Sequence, residues 1–107
     1  MSREERVARN EALFREVNER IKQVNEELAG LASEYLCECG DADCTQPISL
    51  TVVEYEDVRR EPTHFAIIPG HSDATVEQVI AQNERFAVVE KTEPDAARIV
   101  IRKDPRS

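Results

Sequence analysis

Cys37-Glu38-Cys39-Gly40-Asp41-Ala42-Asp43-Cys44 contains every cysteine of the 107-residue chain, and its reading decides what the rest must fold around. The spacing is C-x-C-x4-C, and His71 follows 27 positions after Cys44 in a Pro69-Gly70-His71 turn. Three thiolates and one imidazole are a usual ligand set for four-coordinate structural zinc. Three small buried hydrophobes would be the plain alternative, but Gly, Asp and Glu surround the cysteines and no apolar period runs through them. Cysteines two apart on an extended segment project to one side, so Cys37 and Cys39 can face one ion. Gly40 is expected to supply a positive φ that folds the loop back, with Asp41 and Asp43 as turn formers and Cys44 returning to the same point.

For the fourth ligand His71 is preferred to His64. His64 lies within an apolar strand, where a packed imidazole is ordinary, whereas His71 sits in a polar turn with no packing reason to be there. Asp41 and Asp43 are hard oxygen donors and suit a thiolate site less well. With Cys37, Cys39, Cys44 and His71 in place the tetrahedron is full, no position is left for water, and the site is structural, not hydrolytic. Thiolates also accept iron, but zinc is the expected cofactor.

Working outward, residues 3 to 29 read as one long amphipathic helix without Pro, closed by Gly30. Val7, Phe14, Ile21 and Leu28 recur every seven residues, and Asn10, Val17, Val24 and Leu31 take the intervening positions, as in a coiled-coil seam. That strip either covers the small sheet that follows or pairs with a partner. Val7, Phe14, Val17, Ile21 and Val24 are the candidate partner-binding residues, for another protein or a second copy. Asn10 and Asn25 would set the register.

Residues 34 to 39 read as a strand entering the metal loop and 47 to 50 as the returning strand, together a zinc-knuckle-like hairpin. Thr51-Val52-Val53-Glu54 is a capping box opening a helix to about Arg60, which Pro62 stops. His64 to Ile68 reads as a buried strand. Val76 to Gln82 and Arg85 to Lys91 form a hairpin with Val79, Phe86, Val88 and Val89 as core, although Val76 to Ile80 also suits a short helix. Ile99-Val100-Ile101 reads as an edge strand and 104 to 107 as a frayed end. The expected fold is α+β: a long helix over 1–31, a zinc-stapled antiparallel sheet with one short helix over 32–92, and a tail over 93–107.

Composition narrows the function. Fourteen basic against 22 acidic residues give a net charge of -8, which disfavours a phosphate backbone or an anionic membrane surface and suits a basic or neutral protein partner. No apolar run approaches the roughly 20 residues of a membrane span. The polar N-terminus and clustered thiols point to the cytoplasm. Phosphate-binding glycine motifs and the zinc-deaminase pattern are missing from the sequence. The carboxylates Glu54, Glu56, Asp57 and Glu61 read as a solvated helix face, so no catalytic residue is assigned. The resulting expectation is a non-enzymatic module that docks a protein partner, with a redox- or zinc-responsive sensor as the alternative.

The runs Cys37-Glu-Cys-Gly-Asp-x-x-Cys44, Leu50-Thr-x-x-Glu-Tyr-Glu-x-Val-Arg59, Pro62-Thr-x-Phe65, Pro69-Gly-His71 and Val88-Val-Glu-Lys91, with Phe14-Arg-Glu-Val-Asn-Glu-Arg20 in the leading helix, resemble a family of small uncharacterised bacterial proteins. The resemblance spans roughly residues 10 to 91 and implies no activity. It implies that the three cysteines act together with His71, since both lie in the family's most recognisable motifs.

Overall fold

The structure is a computed structural model, and it describes residues 2–28, 30–41, 43, 44 and 46–106. The fold is α+β. Helix α1 (Arg3–Val24) opens on a capping box between Ser2 and Glu5 and ends at Asn25. A single 3-10 turn, Glu26–Leu28, follows. The expected helix is therefore shorter at its end, with Asn25 as its cap; residue 29 and the Leu28 side chain lie outside the described residues. Strands β1 (Ser33–Leu36) and β2 (Pro47–Leu50) form an antiparallel pair, Tyr35 opposite Ile48. Helix α2 (Val52–Val58) begins with the expected Thr51/Glu54 capping box. Strands β3 (His64–Ile67), β4 (Glu77–Gln82) and β5 (Ala87–Lys91) form a second antiparallel sheet in the order β3-β5-β4.

The chain then departs from its expected course. Residues Pro94–Arg102 form helix α3, not an edge strand. Glu93 caps it by accepting from the Asp95 and Ala96 amides, and Pro94 occupies the first turn, where a missing N–H costs nothing. Ala96, Ile99 and Val100 fall at helical spacing and are buried together, while Ile101 points outward. Residues 104 and 106 are pinned as well, where a frayed end was expected, and residue 107 lies outside the described residues. Asp104 pairs with Arg59, and Arg106 pairs with Glu19 and Glu56.

Helices α1 and α3 pack on each other, α3 reaches β5, and α2 touches both β2 and β3. One core runs through Tyr35, Ile48, Leu50, Tyr55, Phe65, Ile67, Val89 and Val100 and includes Cys37 and Cys39. Phe86 and Val89 are buried and Val88 is packed against the core, but Val79 is exposed, because β4 is an edge strand and bulges between Val79 and Ala81.

The buried face of α1 is the largest surprise. Its buried residues are Ala8, Glu11, Ala12, Arg15, Asn18 and Glu19. These lie one position on from the expected strip, a rotation of about 100°. The seam is mostly polar. Glu11 meets Lys91, itself paired with Glu77, with all three side chains out of solvent. Burial pushes the Glu11 carboxyl well above the ordinary range, against the pull of Lys91. Arg15 donates to the carbonyls of Pro62 and Val100 and lies over the Phe65 ring at 4.8 Å. Glu19 accepts from Arg59 at 2.6 Å.

Candidate metal centre

The loop after β1 carries Cys37 and Cys39, and it does more than present thiols. The Cys37 amide donates to the Gln46 carbonyl, which extends the hairpin, and the Glu38 amide donates to the Ala66 carbonyl on β3. The Glu38 carboxylate accepts in turn from the Ala66 amide at 2.9 Å, from Asn18 Nδ2 at 2.8 Å and from the Tyr55 hydroxyl at 3.2 Å. It is fully buried. A buried carboxylate needs hydrogen-bond donors in place of water, and β3, α1 and α2 supply one each, although burial still raises the Glu38 pKa. Glu38 thus seats the residues on either side of it, Cys37 and Cys39, against the whole domain.

Cys44 returns through a tight turn in which its amide donates to the Asp41 carbonyl and the Asp43 amide to Asp41 Oδ1. The positive φ falls on Gly70, at 93°, and not on Gly40. It lets the chain after β3 turn back, with the His71 amide on the Ile68 carbonyl. Gly40 is needed for a different reason. A Cβ there would stand 2.2 Å from Cγ1 of Val7, so the loop lies directly on α1. Asn10 secures that approach by donating to the Gly40 carbonyl at 3.0 Å.

The result brings together the four expected residues. One donor atom each from Cys37, Cys39, Cys44 and His71 lies within 4.8 Å of the other three. His71 Nδ1 is 3.7 Å from Cys37 Sγ and 3.8 Å from Cys44 Sγ. His64 sits elsewhere, paired with Glu90 across β3 and β5, and is not part of the group. Asp41 and Asp43 shape the turn and are likewise outside it. The group can hold a metal ion.

The three sulfurs differ in how readily they ionise. The Cys39 thiol and the Ile68 amide, at 3.2 Å, hydrogen-bond to Cys37 and draw its pKa below the usual thiol value against the effect of burial. The same contact with Cys37, together with burial, raises Cys39. Burial raises Cys44, with the Gln46 amide opposing it. A first thiolate at Cys37 therefore opposes a second at Cys39, and a cation bound among them removes that opposition.

Of the expected partner-binding residues, Val17 and Val24 face solvent, Phe14 is half-buried, and Val7 and Ile21 pack partly against the core. The sequence reading did not single out Glu38, Asn18, Glu11 or Arg15. A polar residue between two cysteines, or on a helix, carries no local sign of burial. No helix among the described residues is long and apolar enough to cross a membrane. No family model, no curated protein and no solved structure matches the chain.

Proposed function

We propose that the protein is a small zinc-binding interaction module in which Cys37, Cys39, Cys44 and His71 hold a structural zinc and the outward face of α1 docks a protein partner. The observation that carries the reading is the convergence of the four donor atoms within 4.8 Å. In a zinc tetrahedron with sulfur and nitrogen ligands at ordinary bond lengths, the ligand atoms stand about 3.6–3.8 Å apart. The distances of 3.7 and 3.8 Å from His71 to two of the sulfurs fit that spacing. Three thiolates and a neutral imidazole fill the coordination sphere, so the metal serves to hold the loop and not to activate water.

Such a metal would stabilise the fold strongly, because the ligand loop joins the β1–β2 hairpin to the edge of β3 and supports α1 through Glu38 and Gly40. Chelation of the purified protein should lower its melting temperature by more than about 10 °C and reduce its helical circular dichroism. An unchanged melt after complete zinc removal would refute the structural role.

A second reading, a redox-responsive sensor, is favoured by one feature: a cavity of about 600 Å³ opens beside Cys39 and His71. A peroxide entering there could take two electrons from a pair of thiolates, which close a disulfide while the O–O bond breaks and the peroxide leaves as two hydroxide ions. The metal then loses two ligands. Stoichiometric peroxide that releases no zinc would exclude this reading.

A further inference from the structure

We infer that the outward face of α1 pairs with a second copy of this chain, antiparallel and centred close to Val17. The inference deepens the docking role proposed for the helix by naming its partner, and it does not depend on the metal.

Helix α1 buries polar side chains and leaves an apolar stripe in water. Its buried seam is made of Glu11, Arg15, Asn18 and Glu19 among small alanines, while Leu13 is 56% exposed, Val17 38% and Val24 83%. Positions 13, 17 and 24 lie along one stripe at helical spacing, with Ile21 at its edge. Shallow grooves of about 190 Å³ and 260 Å³ run beside it, the first at Leu13 and Val17 and the second at Val17, Ile21 and Val24. A stripe of this kind gains by leaving water. Among the described residues no other element covers it from Arg6 to Val24, where the intervening exposed positions are all on this side of the helix.

Charge decides what covers it. Along one flank of the stripe stand Arg9, Glu16, Arg20 and Glu27, all exposed, the last in the 3-10 turn. In a parallel two-fold pair this flank would face the opposite flank of the other copy, where Asn10 and Ile21 stand, and its charges would go unpaired. In an antiparallel pair with its two-fold near residue 18, Arg9 of one copy faces Glu27 of the other, and Glu16 faces Arg20. The two-fold repeats both contacts with roles exchanged, so all four are attractive. Leu13 then meets Ile21 and Val24 of the other copy, and the two Val17 side chains meet close to the axis. A two-fold interface requires this self-complementarity, residue i on j and j on i. The contact is one helix wide, so the pair should be weak and concentration-dependent, in the micromolar range.

The test is sedimentation of the zinc-loaded full chain from micromolar to millimolar concentration, with thermal melts confirming that each variant folds. The wild type should pass from monomer to dimer. Leu13→Asp and Val17→Asp, both at exposed positions, should remain monomeric. Glu16→Arg and Arg20→Glu should each weaken dimerisation about tenfold, and the double variant should restore it, since the swap regenerates the same opposite-charge contacts. A wild type that stays monomeric throughout would overturn the inference, as would a dimer indifferent to Leu13→Asp and Val17→Asp. A double variant as weak as the singles would also overturn it, because it would mean another arrangement. A monomer that binds a different protein through Leu13 and Val17 would assign the face to that protein and overturn self-pairing while leaving the docking role intact. Zinc content reports on the metal site separately, so failure here and failure there are distinguishable.

Discussion

Gly40 shows how closely the metal loop and the long helix are fitted. With no left-handed backbone to require a glycine, the constraint is space: an added Cβ would lie 2.2 Å from Cγ1 and 3.0 Å from Cβ of Val7. Gly40→Ala should therefore destabilise the protein by about 1–3 kcal/mol and weaken its hold on zinc. Val7→Ala in the same chain should recover part of both losses, as read by urea unfolding and by competition with a zinc chelator. A neutral Gly40→Ala would mean that the loop does not rest on α1. At this scale the sequence showed the four grouped residues well, because thiols and a turn imidazole are rare residues with few other reasons to cluster. It concealed their support. Glu38 looks like any acidic loop residue, yet it is buried with donors from Asn18, Tyr55 and Ala66, which lie 20, 17 and 28 positions away. Gly40 was expected to matter for its φ, and sequence alone could not show the helix that would come to lie over it.

Elements with strong local signals were legible. The Thr51/Glu54 box, the β1–β2 hairpin and the β4–β5 hairpin all appear where turn and capping residues put them. Helix α3 was misread because Ile99-Val100-Ile101 is β-branched throughout, and the Glu93-Pro94 start was taken for a turn. Helix α1 was placed correctly but rotated by one residue. An apolar stripe normally marks the buried side, and here ion pairs and carbonyl contacts hold the other side down. Helix α2 supports a pH-dependent prediction. Two hydrogen bonds from Arg85, and beside them the Thr51 amide, draw Glu54 down to about 2 against partial burial. A depressed carboxyl pKa contributes stability that is complete above its ordinary value of 4.5 and is lost as the pH falls towards 2. Glu54→Gln should accordingly cost about 1 kcal/mol at neutral pH. The gap from wild type should narrow steadily below 4.5 in paired urea titrations. A gap that does not change with pH would show that Glu54 acts through its cap alone and not through its charge.

At the scale of the molecule, the β1–β2 hairpin, strand β3 and helices α1 and α2 converge on one eight-residue loop. Cys37 and Cys39 belong to the core, so ligand loop and hydrophobic interior are one structure and not a site grafted onto a finished fold. The net charge of -8 is compatible with the short-range charge pairs proposed for α1, which act in contact, while the wider field disfavours nucleic acid. The measurement that tests the account most directly is metal content per chain by native mass spectrometry, on protein purified without added metal, for wild type, Cys37→Ser, Cys44→Ser, His71→Ala and His64→Ala. The account predicts one zinc ion in wild type and in His64→Ala, and its loss or marked weakening in the other three. A metal-free wild type that also fails to take up added zinc, or a His71→Ala variant that binds as tightly as wild type, would contradict it.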